Sequence, residues 1–282
     1  MNKREFIYFT GYMTARSLEL AGIVNALDAH QIEVESVNVP VYGLPDHLTG
    51  TTFAQISDLH MSYHYQAPQL YEAVELINQA SPEFLFITGD YVADNSDYLD
   101  EMIEPLSALK MPAFAILGNH DCWGNVWSVK RVFEQTSVCL LWNQSVEVKP
   151  QLWVIGLDDV LSGRPNLERA LADCQMDEPK LLLVHEPDYF RRVIQLSAPI
   201  DAQFSGHTHG GQIRLPSLFP DINGEFLRPY VLPTLGEQYI MGKYQINDKF
   251  LYVNRGLGFT GPPLRLNARP EITLFSLYPA FA

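Results

Sequence analysis

Cysteine is scarce in this chain of 282 residues. The three present, Cys122, Cys139 and Cys174, are odd in number and include no close pair. Neither a disulfide framework nor a cysteine-built zinc site is indicated, and a reducing cytoplasm is the expected compartment. Positive charge is also short, with 19 Lys and Arg against 33 Asp and Glu and a formal net charge of −14. Nonspecific nucleic-acid binding needs clustered cations that displace counterions, so this balance argues against it. A phosphate-bearing substrate would have to be attracted by something other than bulk charge, and bound metal is the obvious candidate. Long hydrophobic runs are missing as well. The leader NKREFIYFTGYMTARSLELAGIVNALDAH begins basic and turns apolar, but Arg16, Glu19 and Asp28 interrupt it short of the ~20 apolar residues a membrane span needs. It carries no signal-peptide cleavage pattern. An amphipathic leader packed on its own domain is expected, and peripheral contact with a bilayer stays open.

What is present is the composition of an ordinary folded protein, 47% hydrophobic and 18% charged, with no repeat period or low-complexity tract. The length suits a single large α/β domain. Residues 1–50 read as a leader helix and first strand packed on a main domain of residues 51–282, with a motif core over 51–211 and late loops and closing strands over 212–282. IEVESVNVPV alternates like a half-buried strand, and YGLPDHLTGT reads as a turn.

From there one syntax recurs. A short apolar, β-rich run ends abruptly in polar residues able to bind metal: TFAQISDLH, PEFLFITGDY, PAFAILGNHD, LWVIGLDD, KLLLVHEPD and DAQFSGHTH. Helical patterns over Pro68 to Gln79 and around Ser128 to Gln135 lie between several of them. Apolar runs without alternation suggest strands buried on both faces, as in a layered α/β core. In such sheets the C-terminal strand ends converge on one edge, so residues distant in sequence can meet there.

The strand ends supply Asp58, His60, Asp90, Asn119, His120, Asp121, His185, His207 and His209. Five of the eight histidines fall in this pattern; His30, His47 and His64 do not, and read as surface or loop residues. Each candidate alone has a plainer reading: Asp58 or Asp121 as a helix cap, Asn119 as a turn residue, His185 as a satisfied core histidine. Together they would need an unrelated structural reason at every strand end. Oxygen and imidazole ligands without thiolate suit Mn, Fe, Zn or Mg. The set is too large for one tetrahedral ion and suits two ions sharing a bridging carboxylate, an arrangement that can clamp both oxygens of an in-line phosphoryl displacement.

The ordered motifs D-x-H, G-D-x-x, G-N-H-D, an isolated His and G-H-x-H resemble those of the calcineurin-like metallophosphoesterase superfamily. The match is strong over Thr51 to Gly211. THGGQIRLP and RGLGFTGPPLRLNARPEI further resemble a bacterial subgroup of phosphohydrolases described as membrane-associated phosphodiesterases. The resemblance implies two packed mixed β-sheets flanked by helices, a four-layer α/β sandwich. It also implies two divalent or trivalent metal ions, with Mn expected and Fe or Zn open. Asp58, His60 and His209 would hold the first ion, Asn119, His185 and His207 the second, and Asp90 would bridge them. His120 would protonate the leaving oxygen, with Asp121 orienting its imidazole.

The implied function is a dinuclear-metal phosphodiesterase that cleaves a P–O bond through a metal-bridging hydroxide. Its substrate would be a phosphate ester of nucleotide or lipid-linked type. Phosphomonoester hydrolysis and cleavage of a UDP-diacylglucosamine-type pyrophosphate are the neighbouring activities. Some lipid-precursor pyrophosphatases of the superfamily carry arginine where His120 stands, so GNHD argues against that branch. A non-enzyme alternative is a metal-bound scaffold at the membrane periphery. Arg214, Arg255, Arg265 and Arg269 in the late loops are candidates for gripping a second phosphate, with ordinary ion pairs as the alternative.

Overall fold

The computed structural model describes residues 31–93, 95–217, 227–230, 232–261 and 263–280. The leader expected to form a helix falls on residues 1–30, outside the described residues. The first sheet contains β1 (Glu33–Tyr42), β2 (Thr52–Ile56), β3 (Phe84–Thr88), β4 (Ala113–Ile116), β5 (Val138–Leu140) and β14 (Glu271–Ala280), in the order β1-β14-β2-β3-β4-β5. The second contains β6 (Gln144–Lys149), β7 (Leu152–Gly156), β8 (Lys180–Leu183), β9 (Ala202–Ser205), β12 (Gly242–Ile246) and β13 (Lys249–Val253), in the order β12-β13-β9-β8-β7-β6. A short ribbon pairs β10 (Arg214–Pro216) with β11 (Leu227–Pro229).

Both sheets are mixed. β2, β3, β4 and β5 run parallel while β14 is antiparallel to β2; β7, β8, β9 and β13 run parallel while β6 and β12 are antiparallel edges. The half-buried strand read at IEVESVNVPV is β1, which pairs in parallel with β14 along its whole length. The two helical patterns appear as the helices Ala67–Ala80 and Val126–Phe133.

The non-alternating strands are buried on both faces, as 2.0-residue periodicity requires when each face meets an apolar layer. Along β3, Phe84 and Phe86 point between the sheets while Leu85 and Ile87 point at the helices. The layer between the sheets is an aromatic cluster centred on Phe53, whose ring lies 5.2 Å from Phe84, 5.3 Å from Phe204 and 4.9 Å from Phe275. On the outer face of the first sheet the Ala67–Ala80 helix contributes Leu70, Ala73, Val74 and Ile77. On the outer face of the second, the helix Phe190–Gln195 contributes Phe190 and Val193. The result is the expected α/β/β/α layering. Toward the functional edge the apolar filling gives way to a buried polar rivet: the Gln55 amide donates to Thr88 Oγ1 at 2.9 Å and to the Ser205 carbonyl at 3.0 Å, joining the two sheets.

Candidate metal centre

Beyond the C-terminal ends of β2, β3 and β9 the backbone turns sharply. Asp58, His60, Asp90, His207 and His209 all have positive φ, between 44° and 74°, which non-glycine residues seldom adopt. Such strain persists where surrounding contacts over-determine the conformation, and it concentrates at functional sites. The glycines in these turns answer to close approach. A Cβ on Gly118 would strike the Asp90 carboxylate, and one on Gly206 would strike Ser57 Oγ and the Asp58 carboxylate.

The side chains converge in overlapping clusters. One holds Asp58, His60 and His209; a second holds Asp90, His185 and His207; a third links His60, Asp90 and His120, with the ligand atoms of each within 4.8 Å of one another. Asp90 Oδ2 stands 3.5 Å from His60 Nε2 and 3.1 Å from His185 Nε2, between the first two clusters. Asp58 Oδ1 is 3.5 Å from His209 Nε2. His207 and His209, one residue apart, thus enter different clusters. Asn119, at the start of the helix Asn119–Trp123 and next in sequence to His120, is buried.

Backbone groups orient most of the imidazoles. Nδ1 of His60, His120 and His185 faces the carbonyls of Val92, Ala93 and Thr88 at 2.9, 2.8 and 2.7 Å, and His207 Nε2 faces that of Thr234 at 2.8 Å. A carbonyl only accepts, so each of these nitrogens carries the proton. In the neutral ring the opposite nitrogen then offers its lone pair to the centre. His209 differs: its Nδ1 lies 3.3 Å from the guanidinium of Arg265, and its Nε2 lies 3.1 Å from His60 Nε2.

Burial lowers the pKa of His60 to about 3 and that of His207 to about 4, and holds His209 well below the ordinary value, so these rings are neutral at pH 7. Burial also pushes Asp58 up to about 6, against the pull of His185. Burial would raise Asp90 too, but His185, His60 and His120 together hold it well below the carboxylate range. The opposite balance applies at His185, where Asp90 and Asp58 overcome burial and raise it.

These residues fit metal. Asn119 Oδ1 and His185 Nε2 are buried without a hydrogen-bond partner; His185 Nε2 is near Asp90 but off the hydrogen-bond direction. Buried polar atoms are rarely left so, and a cation beside Asp90 would satisfy His185 Nε2. Imidazoles and carboxylates are also the donor set of a divalent cation that takes nitrogen and oxygen ligands.

The family model for calcineurin-like phosphoesterases matches residues 51–211, more than half of the chain. The chain belongs to this family. It is a metal-dependent phosphoric ester hydrolase, a metallophosphoesterase. Among its relatives, the uncharacterized metallophosphoesterase YkuE of Bacillus subtilis is 32% identical, covering 98% of each chain. Phosphodiesterase YaeI of Escherichia coli is 28% identical over 79% of this chain and 80% of that protein. A bovine transmembrane protein with a metallophosphoesterase domain is 28% identical over 95% of this chain and 62% of its own length. Among solved structures, TT1561 of Thermus thermophilus superposes with a TM-score of 0.50 at 13% identity, over 74% of this chain and 91% of that one, a likeness of fold.

The metallophosphoesterase site departs from the expected arrangement at Asp121. Its carboxylate does not hold the His120 imidazole, which is fixed by the Ala93 carbonyl. Instead Asp121 accepts four backbone N–H bonds, Oδ2 from Asp90 and Gly118 and Oδ1 from Tyr91 and Val92. The reason is direction: on a short helix Asp121 caps its own N-terminus and the facing loop.

The late arginines also resolve as structural. Arg255 pairs with Glu33, Glu35 and Glu271, Arg269 pairs with Glu33, and Arg265 is buried among the carbonyls of Gly258, Arg255 and Ala268. Arg214 donates to the Leu227 carbonyl. His47 and His64 are exposed, as read, and His30 lies outside the described residues. Burial, with Asp159 and Asp158 nearby, raises the Cys122 thiol, which disfavours a reactive thiolate. Sequence reasoning missed the support by Arg265 of His209 and the packing of Gly256 and Gly258 against Asp58 and Leu59. The glycine-rich stretch NRGLG was the available signal.

Proposed function

We propose that this metallophosphoesterase is a phosphodiesterase with two metal ions, Asp58, His60 and His209 holding one, Asn119, His185 and His207 the other, and Asp90 between them. The observation that carries this reading is the pair of ligand clusters on either side of Asp90, with His120 beside them. The name of YaeI supports the diester preference. When bound, divalent cations lower the pKa of water toward ~7 and neutralise charge on phosphoryl oxygens.

The residues of the chain do the rest. Asp58, His60, Asp90 and His185 are shielded from solvent, so their charges act in a medium that screens them weakly. His120 is half-buried and fixed by Ala93 through Nδ1–H, which leaves Nε2 for the leaving oxygen; it donates there when both ring nitrogens carry protons. Asp90 Oδ1 accepts the His120 backbone N–H at 2.9 Å, which ties the proton donor to the centre. Mn is the cation proposed for assay, with Fe and Zn as alternatives that the same donors accept. Among the described residues no helix is long and apolar enough to cross a membrane.

The experiment is hydrolysis of bis-p-nitrophenyl phosphate and p-nitrophenyl phosphate by metal-stripped protein reloaded with Mn, beside His120→Ala. The expected result is metal-dependent diester turnover exceeding monoester turnover. His120→Ala should keep its metal and lose ~100- to 10,000-fold in rate on diesters with poor leaving groups. Monoester preference would refute the diester reading, and full activity of His120→Ala on methyl p-nitrophenyl phosphate and on a dialkyl phosphate diester alike, the latter having the poor leaving group, would refute the proton-donor role.

A further inference from the structure

Trp123 ends the same short helix that supplies Asn119 and His120. Asn119 and Asp121 on that helix are buried, yet Trp123 is 63% exposed. A lone exposed aromatic is ordinary. This one touches the proton donor: its ring centroid lies 4.9 Å from that of His120, with the planes at 50°. His120 in turn packs edge-on against His60, centroids 4.7 Å apart and planes at 86°. The three rings form a series from the buried cluster to solvent, with His120 in the middle. The other exposed tryptophan nearby in sequence, Trp127, instead faces Trp142 at 6.1 Å. Gly124 seats the turn behind Trp123, since a Cβ there would meet Val92 at 3.1 Å and the His120 carbonyl at 3.2 Å.

We infer that Trp123 is a stacking platform for the leaving group, and that substrates of this site carry a planar aromatic ring on the departing alcohol. This rests on the hydrolase reading of the centre. In the reaction a water oxygen bonds to phosphorus and its proton passes to solvent. The phosphorus–oxygen bond to the alcohol breaks, and the alcohol oxygen takes the proton from His120 Nε2. The departing group therefore emerges beside His120, the ring that the exposed indole adjoins. Rings stack at centroid separations of 4.5–7 Å, the spacing already found along this series. The ring could belong to a nucleoside or to a simple aryl alcohol.

Non-hydrolysable phosphonates separate this inference from the reading beneath it. Binding of methylphosphonate, cyclohexylphosphonate, phenylphosphonate and a 5′-phosphonate analogue of AMP to Mn-loaded protein would be measured by calorimetry. Phenylphosphonate should bind about 5- to 150-fold tighter than methylphosphonate, in line with the worth of ring stacking. Trp123→Ala should collapse that ratio toward one, and Trp123→Phe should keep most of it. An unchanged ratio in Trp123→Ala overturns the platform even if methylphosphonate binds well. A cyclohexyl advantage equal to the phenyl one overturns the aromatic requirement in favour of an alkyl leaving group. Failure of methylphosphonate to bind at all overturns the proposed phosphoryl site beside His120, and the platform with it. With the platform upheld, tighter binding of the AMP analogue than of phenylphosphonate assigns the ring to a nucleoside, and weaker binding to an aryl alcohol.

Discussion

Asp121 Oδ2 accepts the backbone N–H of Asp90 at 3.0 Å, so the residue between the two clusters is positioned by a carboxylate from the next motif. Asp121→Ala should leave four buried N–H groups without their acceptor and cost about 3 kcal/mol or more of stability in urea denaturation. If Asp121 served only to orient an imidazole, the variant would keep its stability and change only its pH–rate profile.

Asp90→Asn should deplete both cations together, because Asp90 Oδ2 faces His60 on one side and His185 on the other. Metal content after dialysis, measured by plasma mass spectrometry, reads this directly. Loss of one equivalent with retention of the other would exclude the shared role.

Gly206→Ala tests the close approach of β9 to β2. The added methyl meets Ser57 Oγ and the Asp58 carboxylate, and Gly206 sits in a turn whose next N–H, that of His207, donates to both Asp58 oxygens at 3.0 and 3.1 Å. Overpacking of this kind costs about 1–3 kcal/mol. Melting temperature and metal affinity should fall together; a variant that loses neither would show that the turn has room.

Glu271 offers a pH test away from the centre. Burial raises its carboxyl above the usual value, only partly offset by Arg255. An acid with a raised folded pKa binds its proton better in the native state, so its stabilisation is complete below the unfolded value near 4.5 and is lost as pH rises through the folded value. Glu271→Gln should flatten the decline in stability over that window, measured by denaturation at a series of pH values. An identical slope in the variant would assign the decline to other groups.

The chemistry was legible because metal ligands must be particular residue types, and here they follow buried strands whose apolar runs are also legible. TFAQISDLH and DAQFSGHTH show both features in one line of sequence. β1 was readable from its alternation, since one face is half exposed. What residues along the chain could not reveal is direction. Asp121 and His120 are neighbours, yet the rotation of about 100° between successive helical residues sends their side chains to different partners. Arg265 lies 56 residues from His209 and reaches it only because the late loop folds back over Asp58. The late arginines illustrate the same limit: guanidinium chemistry allows phosphate or carboxylate, and only the placement of Glu33, Glu35 and Glu271 beside Arg255 decided for carboxylate. Sequence alone determined the candidate ligand types, their order and the layered α/β core. Tertiary structure decided which nitrogen of each histidine faces inward, because that depends on carbonyls and a guanidinium supplied by distant turns.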